Sequence, residues 1–263
     1  MSTAMFRKSA KDLGWTTLWY AAGLAFYGFV IVLFFPSMSG LHEQIDKAFP
    51  AALRKAFGIT DYGTLAGFVG AEFLNVMWPL IASAFLVMAG TAVVAQEIER
   101  GTIEVWLSVP ATRTALLTTK ITALFAGALI LIVATLASLS IGAALIGKSL
   151  PGDHLLALGI VMAAFAVTVA ACSALLSTLS DSRGPAAGVA AAVVLGSYLA
   201  WIVAALSSSW EWLRHVSLFT PFRAQDALAR GTVDWLGLAV LAAISLACIV
   251  GAVTVFKRRD AIA

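Results

Sequence analysis

Six stretches of this chain are each long and apolar enough to cross a bilayer, and a dense block of charge separates the second from the third. A helix needs about 20 apolar residues to span the hydrocarbon core. The runs are residues 13–35, 73–95, 121–146, 155–179, 185–206 and 235–256. Between the second and third lies QEIERGTIEVWLSVPATRTALLTTK, residues 96–120. An Asp, Lys or Arg at the centre of a spanning helix costs about 2.5–3.5 kcal/mol on insertion, so this block belongs outside the hydrocarbon, on one face of the membrane. Composition agrees. Of the 263 residues, 61% are hydrophobic and 12% charged, against about 25% charged in a soluble domain. The fold class is therefore an all-α membrane protein with six transmembrane helices. Residues 1–263 form a single transmembrane domain, and the chain carries no nucleotide-binding domain.

An even number of spans puts both termini on one side, and Lys and Arg decide which. With the termini inside, Arg7, Lys8, Lys11, Arg100, Arg113, Lys120, Arg183, Lys257, Arg258 and Arg259 are inside, while Lys47, Arg54, Lys55, Lys148, Arg214, Arg223 and Arg230 are outside. Basic residues concentrate on the cytoplasmic side, so the expected localisation is the cell (inner or plasma) membrane, multi-pass, with both termini cytoplasmic. The net charge of +3 gives no support for a nucleic-acid partner.

The connecting segments carry their own expectations. Residues 4–12, AMFRKSAKD, read as a short N-terminal amphipathic helix lying at the interface before the first span. Residues 37–71 are too long for a bare loop, and HEQIDKAFPAALRKAF has the spacing of one or two surface helices. Pro79 predicts a kink within the second span, and Asn75, close to Glu72, reads as an outer-interface residue. The Ala- and Gly-rich fifth span reads as a packing face. Residues 207–234 form a second long outer segment in which 222–230 predict a short helix capped by Gly231. This segment is expected to dip back into the outer leaflet.

Catalytic and metal-binding constellations are not visible in the sequence. There is no HExxH or GxSxG motif. His42, His154 and His215 fall in or beside outer loops, and Cys172 and Cys248 fall inside apolar runs, so neither metal ligation nor a disulfide framework is suggested. One string, GAALIGKS at 142–149, matches the phosphate-loop pattern. That motif needs a preceding strand and a following helix. Here it ends an apolar span on the outer side, and Pro151 and Gly152 follow it, so the match is expected to be coincidental. The spans also lack the internal ionisable residues that ion-coupled carriers use.

The charged block has helical grammar of its own. Glu97 and Glu99 end the second span and Arg100-Gly101 break the helix. Thr102 is a plausible N-cap, with Glu104 in the first turn where a negative charge suits the helix dipole. Ile103, Trp106 and Leu107 share one face, and Pro110 stops the helix. Thr112 then caps the next helix, which carries Arg113 and Lys120 into the third span. The product is a short amphipathic helix held crosswise between two spans.

This segment resembles the ABC-2-type permeases, the membrane subunits of one class of ATP-binding-cassette exporters. Members carry a pattern like E-x-E-x-G-T-x-E-x-x-L-S-x-P-x-x-R between the second and third spans. Here the matching residues are Glu97, Glu99, Gly101, Thr102, Glu104, Leu107, Ser108, Pro110 and Arg113. The tail SLFTPFRAQDALARG, followed by a span and FKRRD, is similar to the family's last segment. The resemblance implies a dimer with a second permease copy or a paralogue, embedded among membrane lipids. It implies a cytoplasmic coupling helix at 97–113 entering a groove on a cytosolic ABC ATPase subunit, and re-entrant outer helices between spans 5 and 6. ATP and Mg would be bound by the partner ATPase; this chain would hold no cofactor and would not itself be an enzyme. The coupling residues would be Glu97, Glu99, Arg100, Gly101, Thr102, Glu104, Trp106 and Arg113, with the second and fifth spans lining the dimer interface. The implied function is ATP-driven efflux of a substrate that the sequence does not identify; the apolarity of the spans suits a hydrophobic or amphipathic one. The alternative is a membrane-embedded assembly or anchoring subunit that recruits a cytosolic protein without transporting.

Overall fold

The computed structural model describes residues 3–38, 62–102 and 112–258. The described residues are helical apart from turns and short links, and six of the helical stretches have the length and apolarity to cross a membrane. The elements are α1 (Thr3–Met38), α2 (Leu65–Val69), a π-helical turn (Gly70–Leu74), α3 (Met77–Thr91), α4 (Ala95–Glu99), α5 (Arg113–Leu145), α6 (Gly152–Leu179), α7 (Arg183–Leu206), a 3₁₀ segment (Ser208–His215), α8 (Ala224–Arg230) and α9 (Trp235–Arg258). The surface helices expected within HEQIDKAFPAALRKAF lie outside the described residues.

α1 runs 36 residues without a break, about 54 Å at 1.5 Å per residue. That exceeds the roughly 30 Å hydrocarbon core. The N-terminal basic turns are thus an extension of the first span, where the sequence suggested a separate short helix. Nothing in residues 9–13 breaks the backbone hydrogen-bond ladder, since the one proline of α1 is Pro36, at its far end.

The second span departs most from expectation. It divides into α2, the π turn, α3 and α4. The break falls at Asn75–Val76, and Pro79 lies in the first turn of α3. A proline there lacks an N–H that the helix would leave unpaired in any case, so Pro79 begins a helix where a mid-span kink was expected. Asn75 does more than face an interface: its Nδ2 donates to Gln225 Oε1 at 2.9 Å, tying the break to α8. Tyr62 Oη donates to Glu72 at 2.6 Å beside it. Burial, reinforced by this bond to Glu72, raises the Tyr62 phenol above its ordinary pKa.

The core is built on α3, α5 and α6. Trp78, Phe73, Phe85 and Phe165 are fully buried. The indole of Trp78 donates to Thr135 Oγ1 at 3.0 Å, satisfying a polar group where no water reaches. Helices approach closely where side chains are small: a Cβ added at Gly90 of α3 would stand 2.6 Å from Ser173 Cβ of α6. The long segment before α9 turns inward. Phe222 stacks on Trp78 with ring centroids 5.7 Å apart and touches Phe165 at 4.8 Å. Phe165 lies thirteen residues into α6, about 20 Å along its axis. α8 follows with Ala224, Ala227 and Leu228 buried. Gly231 closes it in the left-handed region at φ 64, its N–H reaching Ala227 O, as the sequence indicated.

α7 and α9 sit at the periphery. α7 buries a stripe through Ala186, Ala190, Val194 and Ser197, while Val189, Val193 and Leu199 on its other side are exposed. α9 is joined to α6 by Thr168 Oγ1 and Ser245 Oγ, 2.9 Å apart. One helical turn further on, Cys172 Sγ and Cys248 Sγ stand 3.4 Å apart, both as free thiols.

Candidate functional site

At the end of the bundle where α1 begins and α9 ends, the second span ends in a latch. α3 stops at Thr91, and Ala92–Val94 turn the chain before α4. A turn inside a bundle strands backbone groups that must find partners. Ser177 of α6 supplies them. Its Oγ accepts from Val94 N–H and from Ala95 N–H, each at 2.9 Å, and donates to Thr91 O at 2.8 Å. One buried hydroxyl thus satisfies three backbone groups and fixes the angle at which α4 leaves the span.

α4 is closed by a Schellman motif. Gly101 adopts φ 67, its N–H reaches Ile98 O at 2.9 Å, and Thr102 N–H reaches Glu97 O at 3.0 Å. The sequence reading placed a helix break at Arg100-Gly101, and the backbone breaks there. The Thr102 hydroxyl donates to the Glu97 carboxylate, closing α4; the helix it was expected to cap lies outside the described residues. Glu97 also receives Lys120 Nζ of α5 at 2.6 Å. The carboxylate and the ammonium are 21% and 11% exposed, so each removes most of the other from water. α5 begins as the sequence suggested, with Thr112 Oγ1 accepting from Ala115 N–H at 3.2 Å and Arg113 as its first residue.

Glu99, at the end of α4, accepts the backbone N–H of Arg183 at 2.9 Å. The Arg183 guanidinium donates to Met88 O at 3.0 Å. The start of α7 is thereby fastened to both α3 and α4. Arg100 is exposed and borders a cavity of about 480 Å³ lined also by Asp12, Glu97, Lys120 and Arg183. The structure therefore gathers Glu97, Glu99, Arg100, Gly101 and Thr102 into one cluster. Glu104 and Trp106 lie outside the described residues.

Sequence reasoning missed Ser177, Asp12 and the role of Arg183. In the sequence Arg183 reads only as a topological charge. Ser177 lies 86 residues from Thr91, and a serine near the end of an apolar run has no local signature of what it bonds. The phosphate-loop string resolves into a helix C-terminus. Gly147 takes φ 70 and Lys148 N–H returns to Ala143 O at 2.9 Å. A Schellman turn ends α5 where a phosphate loop would have to start a helix.

A family model described as ABC-2 family transporter protein matches residues 6–261. The chain belongs to this family. No curated protein matches it. As an ABC-2 protein with six helices able to span a membrane, it is a multi-pass membrane protein and an ABC permease, in a family whose permeases generally work with cytosolic ATPase subunits.

Proposed function

We propose that this chain is the permease subunit of an ATP-driven exporter, whose segment 97–113 docks on a cytosolic ATPase and passes its motion into the bundle. The single observation that best supports this is the bracing of α4. Ser177 pins its start, Lys120 and Thr102 hold Glu97, and Arg183 holds Glu99. A loop that merely turned the chain would not need ties to three other helices. A rigid attachment is what force transmission through a short segment requires. ATP and Mg would reside in the ATPase, and the end bearing the termini would be cytoplasmic, in the cell membrane. The segment 217–230, packed deep against α3 and α6, supports a re-entrant element on the outer side. Two copies, or this chain and a paralogue, would face each other mainly through α7, because α3 exposes only Met77, Ala84 and Met88. The cargo would be hydrophobic or amphipathic.

Trp106 would be the apolar anchor, since truncating such an anchor commonly costs about 2 kcal/mol or more at an interface. Glu99, Arg100, Glu104 and Arg113 would orient the encounter, Glu97 would act from inside the bundle through Lys120, and Gly101 would hold the angle. Trp106→Ala and Glu104→Lys should each lower ATPase co-purification and transport into inverted vesicles while leaving membrane insertion unchanged. Full binding and full transport by both variants would remove the coupling assignment and favour the anchoring alternative.

A further inference from the structure

The cavity beside α4 has features that force transmission does not use. Its wall is divided. One part is polar and charged: Ser9 and Asp12 of α1, Arg100, and Arg183 of α7, beside the Glu97–Lys120 pair. The other part is apolar: Leu13, Met88, Ala89, Ala92 and Leu124. At about 480 Å³ it falls in the range of small-molecule sites, roughly 300–1,000 Å³.

Three groups on the polar side are donors with capacity to spare. The Ser9 hydroxyl is buried and has no hydrogen-bond partner among the described residues, which is costly unless something else accepts from it. The Arg100 guanidinium lies at the rim. Arg183 uses one terminal nitrogen on Met88 O, and a guanidinium has five N–H donors. Three cationic side chains face two carboxylates, and one cation and one carboxylate pair with each other.

We propose that this cavity binds the phosphate-bearing headgroup of an amphiphile. Phosphate oxygens accept from Arg100 and Arg183, and from Ser9 once its side chain turns toward the cavity, and the first part of an acyl chain lies along Leu13, Ala89 and Ala92. Guanidinium groups suit this because their planar donor forks match phosphate geometry. A neutral amphiphile leaves the donors unpaired, and a free anion leaves the apolar wall uncovered. Asp12, on the same wall, disfavours a headgroup with a second negative charge. The binding claim stands on the cavity alone; only its use in transport rests on the reading above.

The test uses the purified permease without any ATPase, in a non-ionic detergent, titrated with dioctanoyl phosphatidylglycerol and read by native mass spectrometry. Saturable binding is expected. Dioctanoylglycerol, which lacks the phosphate, should bind at least about tenfold more weakly, the loss expected when charge-assisted hydrogen bonds are removed. Inorganic phosphate should not displace the lipid. Arg100→Gln with Arg183→Gln should weaken binding about tenfold. Ala92→Phe, which fills the apolar side without touching a charge, should weaken it independently, and so decides the matter if the double variant fails to fold. Equal binding of the neutral lipid, displacement by inorganic phosphate, or unchanged binding in a folded Ala92→Phe variant would overturn the proposal. A resident lipid and an exported one share this chemistry. In the assembled transporter, a labelled probe that stays bound through ATP turnover is the first, and one released to the opposite leaflet is the second.

Discussion

Ser177 and the Glu97–Lys120 pair show how much a few side chains are asked to do at the membrane edge. Removing the Ser177 hydroxyl leaves two buried N–H groups without acceptors, each worth about 1–3 kcal/mol. Ser177→Ala should therefore lower the melting temperature clearly, and Ser177→Thr, if its hydroxyl keeps the same direction, should restore most of the loss. Differential scanning fluorimetry of the detergent-solubilised protein checks this; an unchanged midpoint for Ser177→Ala would mean that the α3–α4 turn holds itself. The ion pair yields a sharper expectation. Breaking a buried pair by removing one partner costs about 3–5 kcal/mol, reduced here because both groups retain some exposure. Glu97→Lys should be strongly destabilising, and Glu97→Lys with Lys120→Glu should recover part of the stability. A double variant no better than the single one would show that Thr102 and the neighbouring charges, rather than Lys120, govern Glu97.

At the scale of elements, what was legible in the sequence follows from what is local. All six spans were readable because about 20 consecutive apolar residues carry their own signal. The Thr112 cap, the break at Gly101 and the Gly231 terminus were readable because capping depends on residues within a turn of each other. The divided second span was not, because its breaks are stabilised from afar: Asn75 by Gln225 and the Ala92–Val94 turn by Ser177. In the sequence Pro79 marks a kink, yet the chain breaks before it, at Asn75–Val76. The same reasoning applies to α6 and α9. Their cysteines are far apart in sequence but 3.4 Å apart in space, and a disulfide needs about 2.05 Å between sulfurs, a closure of little more than an ångström. Treatment of membranes with a membrane-permeant thiol oxidant should therefore cross-link Cys172 to Cys248 within one chain, seen as a disulfide-linked peptide pair after proteolysis. Recovery of only single-thiol adducts would place α9 differently against α6. Gly90 makes a related point about close approach: Gly90→Leu should separate α3 from α6 and destabilise by about 1–3 kcal/mol through overpacking, measured by the same thermal assay.

For the whole molecule, the decisive property is which end faces the cytoplasm, because every functional proposal above depends on it except lipid binding to the isolated permease. Six helices able to span a membrane put the start of α1 and the end of α9 at one end, which also carries α4, Lys120 and Arg183. The basic residues favour this end as the inner one, and the strongest contributions are Lys8, Lys257 and Arg258, which abut spans where the positive-inside effect acts most. Orientation can be read with single cysteines introduced after replacing Cys172 and Cys248 by serine or alanine. Cysteines at positions 2, 113 and 259 should resist an impermeant thiol reagent added to intact cells and react once the membrane is opened, whereas cysteines at positions 55 and 223 should label from outside. The two long connections between spans would then be extracellular, and the segment that follows the braced α4 would meet soluble ATPases. Labelling of position 113 from outside would invert the molecule. It would put the α4 cluster beyond the reach of cytosolic ATP chemistry and leave the family membership standing while removing the coupling mechanism built on it.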